Sequence, residues 1–366
     1  MSMTSPLTIT LFWILGGGGL LGILLMWGKI YRRGLKNLIM RTLALLFINI
    51  FLLIAIGLSF NRSQGFYADW SDLFGSGVNY ESKIVNYSEL IPPKVLKSAV
   101  RAKNGYYIIH EVIKGKYSGV SNKVLLLLPP SAVKSLEINQ PLNPKKYAIA
   151  EFLTGFPAEP EMWLKMLNLH EIAQTFNVNN PGRELVGIIP QVNIQGSVDL
   201  ECMNISKKYL SAETWLTQDV KHYATTRLGL NNEKLGLAGV STGGWCAAML
   251  AIKHPDLYSG AVSIAGYYRP ALPRTDPQEI QDAMNMKYDL GPLEERLTET
   301  IPIYLMASKG DKYSFKETQR YLSKSHPHLA INYHEIQHGA HNFHVWRNQI
   351  EPGLSWLFSQ SRSSIK

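Results

Sequence analysis

The sequence predicts an α/β chain, a mostly parallel sheet with helices on both faces, preceded by two transmembrane helices. Three observations predict it. From Gly105 onward, short β-rich runs alternate with runs of helical spacing, the order that a parallel sheet with crossover helices requires. One of these runs passes through Gly239-Val240-Ser241-Thr242-Gly243 into a helix-compatible segment, a strand, sharp turn and helix in succession. The first sixty residues, finally, hold two long apolar runs and no Asp or Glu, the first acid being Asp69.

Leu7 to Trp27 is uncharged and meets the ~20 residues that a bilayer-spanning helix needs. The glycines at 16 to 19 inside it suit close packing between membrane helices. Thr42 to Phe60 is the second such run. The segment between them, Gly28 to Asn37, is basic, and a loop of this kind stays in the cytoplasm, so the rest of the chain is expected outside. No basic segment precedes the first run and no small-residue cleavage pattern follows it, so both helices are expected to be retained. Formal charge is +9, and Lys29, Arg32, Arg33, Lys36 and Arg41 supply five of those charges. The basic balance is therefore a topology signal and gives no support for nucleic-acid binding.

Asn61 to about Ala102 is polar and aromatic, broken by Ile91-Pro92-Pro93, and is expected to be a stalk or linker. The chain thus divides into 1–60, 61–102 and 103–366. In the last part, strands are expected at Tyr106 to Ile113, Lys123 to Leu128, Tyr147 to Leu153, Leu185 to Pro190, Lys234 to Val240, Gly260 to Ala265, Ile301 to Ala307 and Ile331 to Ile336. Helices are expected at Glu161 to Phe176, Ala212 to Leu228, Trp245 to His254 and Asn348 to Ser359. The excursion Tyr267 to Thr300 reads either as a lid or as a surface loop with one helix.

Chemistry enters at Ser241. Side chains at Gly239 and Gly243 would collide with neighbouring segments in so tight a turn, and the turn presents the serine hydroxyl as a nucleophile. That hydroxyl needs a base, and the base needs an orienting carboxylate. In an α/β-hydrolase these follow in the order serine, acid, histidine, each on a loop after a strand. Asp311 ends the strand that begins at Ile301, and His334, His338, His341 and His344 cluster on or after the last strand. The residues alone leave His338 and His341 as equal candidates at the tip. An oxyanion hole would use the backbone N–H of Thr242 and one from the loop Leu153-Thr154-Gly155-Phe156-Pro157, taken as that of Phe156. The only cysteines, Cys202 and Cys246, form no C-x-x-C pair, so zinc has no support and no metal or organic cofactor is implied.

The run Gly239 to Ala248, the Leu153 to Pro157 loop, Asp199-Leu200-Glu201-Cys202 and Gly339-Ala340-His341-Asn342-Phe343-His344-Val345-Trp346 together resemble the putative esterase family. This is the family of esterase D and the antigen 85 mycolyltransferases, and the likeness is to its membrane-anchored actinobacterial members. It covers roughly Gly105 to Phe358, and its most specific pieces are S-T-G-G-x-C and D-x-E-C. The resemblance implies His341 as the base and Asp311 as the acid, with Ala340 standing where the family more often has glycine. If the domain lies outside the cytoplasm, Cys202 and Cys246 are expected to be oxidised together, tying the D-x-E-C loop to the helix behind the serine.

The function expected is a membrane-anchored serine esterase acting on a lipid-linked or cell-envelope ester through an acyl-enzyme on Ser241. Asp199 and Glu201 are candidates for a substrate rim that recognises a cationic group, such as the amine of an aminoacylated lipid. One alternative is an acyltransferase of the antigen 85 type, passing the acyl group to a sugar or lipid alcohol. Another is a non-catalytic membrane scaffold that kept the fold. The partners expected are the ester substrate and the membrane, and nothing in the sequence specifies an oligomeric state.

Overall fold

A computed structural model describes residues 5–30, 34–64, 70, 85, 87–196, 198–206, 209–230, 233–271 and 278–363. Residues 31–33 of the expected basic loop, 65–69, 71–84 and 86 of the expected stalk, and 272–277 of the excursion lie outside the described residues. The chain divides into two units, Met1–Asn79 and Tyr80–Lys366.

The first unit is helical. Pro6–Trp13 and Gly19–Ile30 are joined without a break by a π-type turn over Ile14–Gly18, and Leu35–Gln64 forms the second helix. Pro6–Met26 and Leu35–Arg62 have mean hydropathies of 2.1 and 2.7 and are long and apolar enough to cross a membrane. The glycines have a packing role here. A Cβ at Gly16 would lie 2.7 Å from the Leu52 side chain, so only a residue without one lets the two helices approach this closely. Trp13 Nε1 donates to Ser59 Oγ at 3.1 Å across the same pair. Leu7, Leu25, Leu35 and Leu53 remain exposed, as residues facing lipid would be.

The second unit is a three-layer α/β domain. Among the described residues its nine strands are β1 (Val100–Arg101), β2 (Tyr107–Lys114), β3 (Ser121–Leu128), β4 (Tyr147–Leu153), β5 (Glu184–Pro190), β6 (Leu235–Val240), β7 (Tyr258–Ile264), β8 (Ile301–Ser308) and β9 (Leu329–Ile336). They lie in the order β1-β2-β3-β5-β4-β6-β7-β8-β9. The pairs β1/β2, β2/β3 and β3/β5 are antiparallel, and from β5 to β9 every pair is parallel. Residues 85 and 87–101 are built into this unit: Val85 N–H donates to the Val112 carbonyl, and Ile91 and Leu96 are buried in its core.

Period-two alternation sorts the strand side chains into two cores. In β4, Ile149 and Leu153 face the helices Pro130–Glu137, Ala212–Leu228 and Thr242–Lys253, whereas Ala148, Ala150 and Phe152 face Leu169–Asn179 and Phe343–Ser363. The fold class expected from the sequence is therefore the one observed. One helix differs. The run Glu161 to Phe176 is two helices, Glu161–Lys165 and Leu169–Asn179, because Asn168 adopts a left-handed backbone at φ 52° and redirects the chain. Asn visits that region more readily than other residues bearing a Cβ, and apolar spacing alone does not register it. Ala212 to Leu228 is continuous but contains a π-type turn over Trp215–Val220.

Because β4, β6, β8 and β9 run in the same direction, the loops that follow them emerge at one edge of the sheet. Those loops carry Gly155, Ser241, Asp311 and His341.

Candidate active site

β6 ends at Val240 and the helix Thr242–Lys253 begins two residues later, so Ser241 alone makes the turn. Its backbone is at φ 57°, ψ −124°, a region costly for a residue with a Cβ and held here by its surroundings. Ser241 N–H donates to the Ile264 carbonyl at 2.9 Å, while the Ser241 carbonyl accepts from Gly244 and Trp245. A Cβ at Gly239 would run into the Gly243 carbonyl, and one at Gly243 into the carbonyls of Leu153 and Thr154. Both glycines are thus required by backbone atoms that have nowhere to go.

The turn meets two other loops. His341 Nε2 lies 2.9 Å from Ser241 Oγ, and His341 Nδ1 is hydrogen-bonded to Asp311 Oδ2. With Nδ1–H donated to the carboxylate, Nε2 is left to accept the serine proton. Asp311 also caps the helix Lys312–Leu322, its Oδ1 accepting from Ser314 N–H at 3.3 Å, so one carboxylate is fixed by the helix and in turn fixes the imidazole. The Asp311 side chain is 6% exposed and that of His341 42%, which leaves the acid dry and the base open to water. Trp346 packs edge-on against the His341 ring at 4.6 Å between centroids. The loops of Asp311 and His341 also bind each other: Ser308 Oγ donates to the Gly339 carbonyl, against which Gly310 packs directly.

Of the four clustered histidines, His341 is the one brought to Ser241. His338 and His334 are exposed, and His334 stacks over Tyr304. His344 is exposed at the start of the closing helix.

On the opposite side of the serine, Gly155 lies against it, a Cβ there falling 3.6 Å from Ser241 Oγ. This brings the loop containing Phe156 to the serine. Thr242 is the first residue of its helix, so its N–H has no acceptor within the helix and is available to an oxygen at the turn. The two segments expected to supply an oxyanion hole, the Gly155 loop and the start of the helix at Thr242, thus both lie beside the serine.

The D-x-E-C loop sits behind this turn. Asp199 Oδ2 accepts from Thr242 Oγ1 at 3.1 Å and Asp199 Oδ1 from Glu201 N–H at 2.9 Å. Glu201 is not on a rim. It is 3% exposed, with Oε1 accepting from Tyr267 OH at 2.9 Å and Oε2 from Ala271 N–H at 2.7 Å. Burial pushes its carboxyl up to about 8, with the neighbouring Asp199 charge adding to the effect. Burial also raises Asp199 above the usual range, against the two hydrogen bonds it accepts. Cys202 and Cys246 form a disulfide, with Cα atoms 5.7 Å apart and 44 residues between them in sequence. Sequence reasoning missed Tyr267, which stacks on Trp245 and reaches both Glu201 and Thr242. No group of three or more His, Cys, Asp or Glu side chains suited to a metal occurs among the described residues.

A nucleophile elbow, a buried acid and an oriented imidazole at the edge of a parallel sheet define the class of serine hydrolases with an α/β-hydrolase fold. The family resemblance seen in the sequence is borne out, because the Esterase family model, described as putative esterase, matches residues 201–357. An S-formylglutathione hydrolase from Agrobacterium tumefaciens superposes with a TM-score of 0.58 at 13% identity, over 70% of this chain and 96% of that one. The fluorophosphonate-binding serine hydrolase F of Staphylococcus aureus superposes at 0.55 and 15% identity, over 69% and 98%. An uncharacterized protein of Corynebacterium glutamicum is 21% identical over 220 residues, 56% of this chain, and the chain spans about half (51%) of that relative's length. The family match and the fold agree in pointing toward ester hydrolysis for the part of the chain that carries this site.

Proposed function

We propose that this chain is a membrane-anchored serine esterase that cleaves a lipid-linked or cell-envelope ester through an acyl-enzyme on Ser241. The observation that carries the reading is the continuous hydrogen-bonded array of Ser241, His341 and Asp311 at the strained turn after β6.

The chemistry follows from that array. Ser241 Oγ attacks the ester carbonyl carbon as its proton passes to His341 Nε2, and Asp311 stabilises the resulting imidazolium. The tetrahedral oxyanion accepts hydrogen bonds from the N–H groups of Thr242 and Phe156, preorganised donors in a setting partly shielded from water. Collapse breaks the bond to the alcohol, which leaves with the proton from His341. Water then attacks the acyl-enzyme with His341 again taking the proton, and the carboxylic acid departs. The exposed edge of His341 admits that water.

Anchoring rests on the two apolar helices. The basic segment between them supports a catalytic domain outside the cytoplasm, and the disulfide, a bond that persists in oxidising compartments, supports the same side. A domain tethered to a membrane meets lipid-linked and envelope esters at a raised effective concentration.

The test is fluorophosphonate labelling of the full chain in detergent. An adduct on the Ser241 peptide, absent from Ser241→Ala, is expected, together with turnover in a panel of esters that varies chain length and head group. Equal behaviour of the two chains would remove the reading.

A further inference from the structure

The hydroxyl of Thr242 has a role that its backbone does not explain. Thr242 is 6% exposed, and its Oγ1 sits between Asp199 Oδ2 at 3.1 Å and Tyr267 OH at 3.3 Å. The phenol is committed to Glu201 Oε1 at the shorter distance of 2.9 Å, which leaves the Thr242 hydroxyl as the donor to Asp199. Asp199 cannot turn away, since its other oxygen holds Glu201 N–H. The turn containing Glu201 and Cys202, both at positive φ, is fastened by the disulfide to Cys246, one helical turn beyond Thr242. Loop and helix are therefore joined at the first residue of the helix and again four residues later.

We infer that Asp199 is a positioning residue, which by accepting the Thr242 hydroxyl fixes the Ser241–Thr242 peptide so that its N–H points at the developing oxyanion. The inference rests on the serine esterase reading and extends it to a residue that touches no reacting atom. A carboxylate this close to an oxyanion opposes it electrostatically, so what Asp199 supplies is an acceptor in a fixed place rather than a charge. Its burial agrees, because it disfavours the ionised form. Losing a donor from an oxyanion hole typically slows reaction by about 100- to 1000-fold, whereas misdirecting one is expected to cost less, on the order of tenfold.

The test compares the rate and half-saturation of fluorophosphonate labelling for the full-length wild type, Asp199→Ala, Asp199→Asn, Thr242→Val and the Asp199→Ala/Thr242→Val pair. Asp199→Ala is expected to lower the maximal labelling rate about tenfold or more with half-saturation unchanged, as loss of transition-state stabilisation requires. Asp199→Asn, which still accepts from Glu201 N–H and bonds Thr242, is expected to restore the rate to within about threefold of wild type. Thr242→Val is expected to match Asp199→Ala, and the double variant to be no slower than either single one, since both remove one interaction. If Asp199→Ala does not fold, Thr242→Val carries the test alone. The inference is overturned if Asp199→Ala or Thr242→Val labels at the wild-type rate, if only half-saturation changes, or if Asp199→Asn is as slow as the alanine variant. Failure of the esterase reading itself looks different: the wild type and Ser241→Ala would then be alike.

Discussion

Removing the bond between Cys202 and Cys246 is the perturbation whose size follows most directly from the structure. The two half-cystines are 1% and 0% exposed, so the crosslink is core and not surface. They enclose a loop with a sequence separation of 44. In the chain-entropy treatment, closing a loop of that length in the unfolded state is worth about 4 kcal/mol at 25 °C, and residual structure in the unfolded chain brings measured values to about 2–4 kcal/mol. The Cys202→Ala/Cys246→Ala chain is the proper comparison, because serine would bury two hydroxyls that need partners. Urea unfolding of both chains in detergent, followed by tryptophan fluorescence, should show the pair unfolding at lower urea by a free-energy difference in that range. Adding reductant to the denatured wild type should bring the two curves together. A variant that unfolds at the wild-type midpoint would refute the reasoning, because the loop would then be held without its crosslink.

Two further outcomes are expected. Gly243→Ala drives a Cβ into the carbonyls of Leu153 and Thr154, backbone atoms that cannot step aside, and should lower stability by about 3 kcal/mol and abolish labelling of Ser241; wild-type melting and labelling together would show that the close approach is wrong. Glu151, wholly buried in β4 and bonded to Tyr258 OH, has its carboxyl pushed by burial from 4.5 up to about 8, so the folded state holds its proton more tightly than the unfolded one. Stability is therefore lost as pH rises from 4.5 through about 8, and Glu151→Gln, which does not titrate, should gain on the wild type between pH 5 and pH 8.5. A melting-temperature difference that stays constant across that interval would count against it.

The serine turn was legible in the sequence because three of its five residues are constrained by backbone contacts: the two glycines by carbonyls and Ser241 by its own strained angles. The order of serine, acid and histidine was legible because a parallel sheet sends its loops to one edge. What separates His338 from His341 was not, since it depends on where a loop at positive φ through Gly339 turns its side chains. Only the family likeness chose between them. Glu201 misled for a related reason: an acid in a loop reads as solvated, yet its neighbour Cys202 is bonded into the core and draws the carboxylate inward to Tyr267 and Ala271. Tyr267 itself gave no signal, because its partners are 25 and 66 residues away. The split of the run from Glu161 to Phe176 turned on a single left-handed Asn168, to which periodicity is blind.

The Asp311 and His341 loops are fastened to each other through Ser308, Gly310 and Gly339, and Asp311 is fixed by its own helix, so the acid and base hold their positions without help from the serine. Trp346 seats the imidazole independently as well. Replacing Ser241 by alanine should accordingly leave the acid and base in place and a chain that binds but does not turn over. Such a chain is a bait: incubated with a mixture of candidate esters and recovered by an affinity tag, it would retain the uncleaved ester, and the bound substrate could be read directly by mass spectrometry.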